Sequence, residues 1–557
     1  MTATGAAYDD GTFDIVIAGA GAAGCVLANR LSADPARRVL LLEAGGEAKS
    51  RWFRVPVGYR WTIGDPRWDW CFDSQPEPHL GGRVLRHPRG KVLGGSTAIN
   101  GMVAIRGQAA DYDAWASMGL PGWSWRDVLP EFTRIESHVL GRAREHGEDG
   151  EWRIDAARMH WSVLDAVRAA AVQCGIREVD DFNATDGDNE GVGPIHVNQH
   201  RGQRWSAADA FLSPVRSRPN LRVVIGALVD RVCFDDRDDA LRATGIRWID
   251  AAGGEHVAQA CAGVVLSAGA LASPAILMRS GIGSASATSA LGIALRLDRP
   301  GVGANLHDHG QIALRWRLGP GTRTLNEAMN SSAAKALMAA RWALARRGPL
   351  TMAPCQIGLF AKSRADIDRA DLGWNVLAFS RRAFDAPFDP FPGLTTIVYP
   401  LRPTSRGNLE LASADPRTPP RFTINFLATD NDRRVSLDAM RLTRRIMRAP
   451  AMAALQPQEQ WPGDAAADDD DAALLAALKD KLGTIYHPVG TARMGPTGDA
   501  FAVTDERLCV RGTRGLRVID ASVMPSIVSG NTATPTVMIG AKGARMIEED
   551  LRSDKNL

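Results

Sequence analysis

Residues 13–31 read FDIVIAGAGAAGCVLANRL, and RVLLLE follows at 38–43. The opening FDIVIA is a short apolar run of the kind that forms a strand buried on both faces. It leads without interruption into GAGAAG, which places glycine at 19, 21 and 24. CVLANRLSAD then predicts an amphipathic helix, and RVLLLE a second strand ending on Glu43. Strand, glycine turn, helix, strand, acid is the order of a dinucleotide-binding unit. Gly19 permits the tight turn, Gly21 lets backbone approach a pyrophosphate, and Gly24 lets the helix pack on the sheet. The helix then offers free N–H groups and its positive dipole end to phosphate. Glu43, nineteen residues past Gly24, is placed to accept hydrogen bonds from a ribose diol. A glycine-rich turn without a ligand is the competing reading, and the full strand–helix–strand context weighs against it. The motif does not separate FAD from NAD; its position at the start of the chain favours FAD.

The 557 residues exceed what one core holds and predict two domains with interleaved segments. Apolar residues make up 45% and charged residues 23%, an ordinary globular balance. A net charge of +3, with no Lys/Arg-rich run, argues against nucleic acid as a partner. The seven cysteines (25, 71, 174, 233, 261, 355 and 509) form no CxxC pair. Such an odd, scattered set argues against a disulfide framework or a zinc site and suits a reducing compartment. MTATGAAYDDGT lacks the basic and apolar regions of a secretory leader. No apolar stretch approaches the roughly 18 residues of a membrane span. The expectation is a cytoplasmic protein with no transmembrane segment, peripheral membrane association staying open.

Four further regions add to the first. Residues 89–100 read RGKVLGGSTAIN, whose glycine pair lets backbone lie against a flat or phosphorylated ligand. GALASPAILMRSGIG (269–283) follows a strand-like GVVLSAG and predicts a second strand-to-helix turn beside the nucleotide. PGVGANLHDH occupies 300–309, and YHPVGTARMG occupies 486–495, ahead of GLRVIDASVMPSIVSGNTATPTVMIGAKGARMI. Together these stretches resemble the glucose–methanol–choline (GMC) family of FAD-dependent oxidoreductases, over nearly the whole chain. The resemblance is greatest to the choline-dehydrogenase-like and alcohol-oxidase-like branch.

The resemblance implies an α/β fold: a Rossmann-like FAD-binding domain with a second α+β substrate domain built on an antiparallel sheet. It implies that Gly19, Gly21, Gly24 and Glu43 hold the ADP half of FAD, with Val229 of LVDRV meeting the adenine through its backbone. Gly94, Gly95, Thr97 and Asn100 would line the flavin side. Asp520 and Ala521 of VIDAS would approach the ribityl and pyrophosphate region, with Thr532 a further cofactor contact. Some members attach FAD covalently through a histidine of the GGxxxHN segment. That position is Ile99 here, which predicts non-covalent FAD.

His487 stands alone in YHPVG, with no second histidine, cysteine or carboxylate within six residues. Oxidising an alcohol moves a hydroxyl proton to a base and a hydride to flavin N5, and an imidazole of pKa about 6.5 suits the first task. The family's active-site pair is His with His or Asn, which maps onto His487 and, forty-four residues on, Asn531 of SGNTATP. Asn cannot act as a base, so His487 takes the proton alone and Asn531 holds the oxygen. The competing readings are a buried structural histidine and a turn or cap asparagine. The resemblance implies a small alcohol as substrate, with O2 or a quinone or dye acceptor to reoxidise the flavin. Two other activities within the resemblance stay open: a lyase acting on cyanohydrins without net redox, and light-driven fatty acid decarboxylation. A non-catalytic flavoprotein is the third alternative.

The flavin motifs fall in three blocks, 1–155, 205–310 and 484–557, and the substrate domain takes 156–204 and 311–483. The latter mixes a helical SSAAKALMAARWALARR with strand-like LTTIVYPLRP, GNLELAS and RFTINFL. The aromatic segment PVGYRWTIGDPRWDWCF (56–72) reads equally as a cover over the flavin or as surface packing. His307 and His309 read as structural, Cys355 as a core cysteine, and the acids at 468–471 as a helix cap and not a cation site. Thr534 and Pro535 predict the N-cap and first position of the last helix, its positive end towards the flavin. No metal is expected.

Overall fold

The computed structural model describes residues 8–144, 146–184, 186–235 and 241–554. Residues 1–7, the first part of the MTATGAAYDDGT stretch that reads as lacking a secretory leader, lie outside the described residues.

Strand β1 (Tyr8–Ala18), helix α1 (Ala22–Leu31) and strand β2 (Val39–Glu43) form the unit predicted from 13–43. All five residues of β2 are buried, as a central strand covered on both faces requires. β3 (Leu221–Ile225) extends the sheet beyond β2, in parallel. β4 (Leu228–Asp235), β5 (Leu241–Ile249) and β6 (Glu255–Leu266) form an antiparallel meander whose last strand runs parallel to β1. The order is β3-β2-β1-β6-β5-β4.

The second sheet is antiparallel. It contains β7 (Gly310–Arg317), β8 (Ile357–Ala361), β9 (Leu372–Leu377) and β10 (Gly393–Pro400), with β7 beside β10, then β9, then β8. Gln458–Trp461 and Gly191–Pro194 close its two edges. Helix α2 (Asp430–Met447) packs across β10 with an apolar stripe of Val435, Ala439, Leu442 and Ile446. GNLELAS and RFTINFL do not join this sheet, although both read as strands. Asn408–Glu410 and Arg421–Thr423 pair with each other in a separate two-stranded ribbon.

The chain then returns to the first sheet. β11 (Leu516–Val518) pairs in parallel with β6, and helix α3 (Ala533–Asp554) packs on α1. A Cβ on Gly540 would sit 2.9 Å from Ala23 Cα, so this close crossing needs glycine. α3 begins at Ala533, which places Thr534 inside the first turn instead of at its cap. The Thr534 hydroxyl accepts from Trp152 Nε1, and the Thr532 carbonyl accepts from Thr536 N–H at 3.0 Å.

One junction between the sheets positions the site. Gly483–Thr484 pairs antiparallel with the start of β7, Gly310 opposite Thr484, and His307 bridges to Val489. Residues 307–311 and 483–489 therefore run side by side, although about 180 positions separate them.

Candidate active site

A single cavity runs from the glycine turn after β1 to the space between the sheets. At one end its wall includes Gly19, Gly21, Glu43 and Val229; in the middle Gly95, Thr97, Asn100, Asp520, Ala521 and Thr532; at the other end His487 and Asn531. Gly24 and Gly94 do not reach the wall. Gly24 packs against the turn, where a Cβ would lie 1.9 Å from the Gly19 carbonyl oxygen, and Gly94 lies against Ser206 and Ala208.

The nucleotide end fits a dinucleotide on its own observations. α1 follows Gly21 as its N-cap, with no side-chain cap bond and no acid in its first turn, which leaves its N–H groups to a ligand. A Cβ on Gly21 would meet only the Ser267 oxygen at 4.0 Å, so it would stand in the cavity itself. Gly19 has φ +99°, and its Cβ would lie 2.5 Å from the same oxygen. Glu43 accepts from the Ala20 and Gly45 N–H groups at 2.9 and 2.8 Å, and burial pushes its carboxyl up to about 7. Asp520 accepts from Gly269 N–H and from the Ser273 and Ser522 hydroxyls. The Thr97 hydroxyl donates to the Gly94 carbonyl and accepts from Ala207 N–H. Asn100 Oδ1 accepts from Met102 N–H and Arg204. These bonds tie the three lining residues to their own turns and to the segments packed against them. Ile99 is buried in a small apolar cluster with Phe53, Val92 and Ala98.

The aromatic segment splits between its two readings. Tyr59, Trp70 and Phe72 line the cavity, whereas Trp61 stacks on Trp52 at 4.1 Å and Trp68 meets Phe53 edge-on. Cys355 is buried as expected but also reaches the wall; its thiol donates to Asn375 Oδ1, and burial pushes it up to about 12.

His487 is held from three sides. Tyr486 adopts φ +72°, in the left-handed region, and the Arg89 guanidinium donates to its carbonyl. Strain of this kind persists where the surroundings dictate it. The His487 N–H donates to Asp308 Oδ1 at 2.8 Å, and burial raises this carboxyl to about 6. His487 is 8% exposed. Burial first, then the neighbouring His309 and Arg89, hold the ring well below the usual imidazole range.

The ring's hydrogen bonds fix its tautomer. His309 Nε2 lies 2.9 Å from the Leu401 carbonyl, which can only accept, so this nitrogen carries the proton. Burial lowers His309 to about 4, so its Nδ1 is a bare acceptor at neutral pH. That Nδ1 lies 3.1 Å from His487 Nδ1, which therefore donates. His487 Nε2 is left with a lone pair, 3.0 Å from Asn531 Nδ2. Asn531 Oδ1 is buried without a hydrogen-bond partner among the described residues. The loop carrying Asn531 is pinned by Asp111, which accepts from both Ser529 N–H and Oγ–H, and by Asn189 on the Ser529 carbonyl.

Sequence reasoning paired His487 with Asn531, and the two side chains meet. It missed Asp308 and His309. His307 is structural, donating to the Asn305 carbonyl and accepting from Ile527 N–H. His309 makes a structural bond through Nε2 and serves the site through Nδ1. The signal was the unusual HDH triplet just before a strand, read as a polar turn.

The N-terminal GMC oxidoreductase family model matches residues 13–311, and its C-terminal counterpart matches 403–540. An alcohol dehydrogenase (acceptor) of Pseudomonas putida is 38% identical over 540 residues, covering 96% of this chain and 95% of its own. An oxygen-dependent choline dehydrogenase of Photobacterium profundum is 37% identical, covering 96% and 93%. The crystal structure of pyridoxine 4-oxidase from Mesorbium loti superposes with a TM-score of 0.85 at 28% identity, over 96% of this chain and 99% of that one. The two sheets, the glycine cradle and these matches agree: the chain belongs to the GMC oxidoreductase family.

Proposed function

We propose that this protein oxidises a primary or secondary alcohol to the aldehyde or ketone with FAD as cofactor. The observation that carries the reading is the lone pair on His487 Nε2, facing the Asn531 amide at the end of the cavity that begins at the glycine cradle. When bound, FAD supplies the two-electron acceptor, taking hydride at N5.

The chain's residues prepare the alcohol. Its hydroxyl donates to His487 Nε2 and accepts from Asn531 Nδ2–H, replacing the bond these groups now make with each other at 3.0 Å. As the carbon loses hydride, His487 takes the proton at Nε2 while its Nδ1–H stays on His309. The proton-taking nitrogen is thus presented before substrate arrives. Asn531 fixes the oxygen and so aims the C–H bond.

We assign the cofactor half to 1–155, 205–310 and 484–557 and the substrate half to 156–204 and 311–483. The composition of the two sheets supports this, each drawing almost all its strands from one set of blocks. FAD is held non-covalently, since Ile99 offers no nucleophile. O2 or a quinone-type acceptor completes the cycle, in keeping with the acceptor-dependent and oxygen-dependent names of the relatives. Those names belong to dehydrogenases, so the cyanohydrin-lyase alternative finds no support in them. We place the protein in the cytoplasm, a reading supported by seven unpaired cysteines. Among the described residues no helix is long and apolar enough to cross a membrane.

The test is an anaerobic panel of alcohols scored by bleaching of the flavin, followed by admission of air. Bleaching by at least one alcohol, lost in His487→Ala, supports the reading. A flavin that stays yellow with every alcohol overturns it.

A further inference from the structure

The substrate end of the cavity carries a cation, Arg381, with which no described carboxylate forms an ion pair, Asp385 acting on it only through space. Its wall is otherwise largely apolar, including Ile63, Leu377, Phe379 and Ile397. The acids on the cavity wall are Glu43 and Asp520, both at the cofactor end and both bonded to protein donors. Arg89 spends its guanidinium on the Pro88 and Tyr486 carbonyls. Arg381 differs. Its guanidinium lies over Phe384 at 4.7 Å, with Phe379 and Phe388 at 5.8 and 6.0 Å, so its orientation is set by ring faces. No described carboxylate pairs with it, and its Nη1 is buried without an acceptor. Burial lowers it only to about 10, so it stays cationic. A buried guanidinium N–H without an acceptor is a rare arrangement that calls for a partner.

We propose that Arg381 binds the carboxylate of the substrate, so that the alcohol oxidised is a hydroxy acid with an apolar or aromatic body between its two ends. This deepens the alcohol-oxidation reading and rests on it. Stacking on aromatic faces leaves the edge N–H groups of a guanidinium free for the two-point bonding a carboxylate prefers. One guanidinium balances one negative charge, which favours a monoanion over a phosphate ester. The apolar wall takes the body, and His487 with Asn531 takes the hydroxyl. A quaternary ammonium alcohol finds a cation where it needs an anion, so this chain departs from relatives named for choline.

The experiment compares 4-(hydroxymethyl)benzoate, benzyl alcohol and choline as anaerobic reductants of the holoenzyme. In parallel, benzoate, which cannot be oxidised, is titrated against the flavin spectrum. The expected order of kcat/KM is anion, then neutral, then cation, with the anion favoured about 30-fold, the worth of a charge-assisted pair. Arg381→Met brings that ratio to near one through KM, Arg381→Lys keeps part of it, and Arg381→Glu reverses it. Benzoate binding weakens by a similar factor in Arg381→Met. A wild-type enzyme that prefers benzyl alcohol, or a preference for the anion that survives in Arg381→Met, overturns the proposal. If no alcohol bleaches the flavin, the oxidation reading fails, while the benzoate titration still decides whether Arg381 is an anion site.

Discussion

Replacing His309 with phenylalanine keeps a ring of similar shape but removes the acceptor for His487 Nδ1–H. That donor sits in a site where its own residue is 8% exposed. A buried donor left unsatisfied costs about 1–3 kcal/mol. The other tautomer, protonated at Nε2, escapes this loss. It can donate to Asn531 Oδ1, now unpartnered, after rotation of the amide, which adds about 1 kcal/mol. The balance therefore moves by about 2–4 kcal/mol towards the tautomer with no lone pair to receive a proton. At 1.4 kcal/mol per decade this is a fall of about 30-fold to nearly a thousandfold in base-competent enzyme. The limiting rate of flavin reduction, measured by anaerobic stopped flow, should fall by at least 30-fold in His309→Phe with little change in substrate binding. His309→Gln, whose carbonyl oxygen can accept, should recover at least tenfold of the loss. A reduction rate within threefold of wild type in His309→Phe would refute the tautomer argument.

Because burial and two basic neighbours depress His487, the ring is neutral at physiological pH. Raising pH then gains nothing, and the acid limb of the flavin-reduction profile should fall below pH 6.5; a limb above that value would contradict the electrostatics. Asn531→Asp puts a carboxylate beside His487 Nε2 and favours imidazolium. The acid limb should move upward and the rate at neutral pH fall about tenfold or more, as seen in the same stopped-flow profile. Gly21→Ala sets a methyl group in the cavity where the cradle meets the phosphates. The purified variant should show a flavin-to-protein absorbance ratio well below wild type, with its fold intact by circular dichroism. Acid precipitation should leave the yellow cofactor in the supernatant; colour in the pellet would mean a covalent link.

How much was legible follows from how local each feature is. The cradle was readable because its parts lie within thirty-one residues, Phe13 to Glu43, and each residue does a backbone job that its type dictates. His487 and Asn531 were readable only through the family resemblance, since neither residue's neighbours say anything about the other. GNLELAS and RFTINFL illustrate a different limit. Alternation announces a strand but not its partner, and these two found each other instead of the main sheet.

The sequence by itself determined the βαβ unit, its glycine turn and the acid that closes it, because steric permission at a glycine and burial along a strand are properties of neighbouring residues. Only the tertiary structure decided which nitrogen of His487 holds the lone pair and which cations line the cavity. His309 reaches His487 because Gly483–Thr484 pairs with the start of β7, and that hydrogen-bond register spans nearly 180 positions. Arg381 keeps an unpartnered buried Nη1 because, among the described residues, the fold brings no carboxylate within ion-pair distance of it. Hydrogen-bond direction and charge balance at a buried point are sums over everything that surrounds it, and those surroundings exist only once the chain has folded.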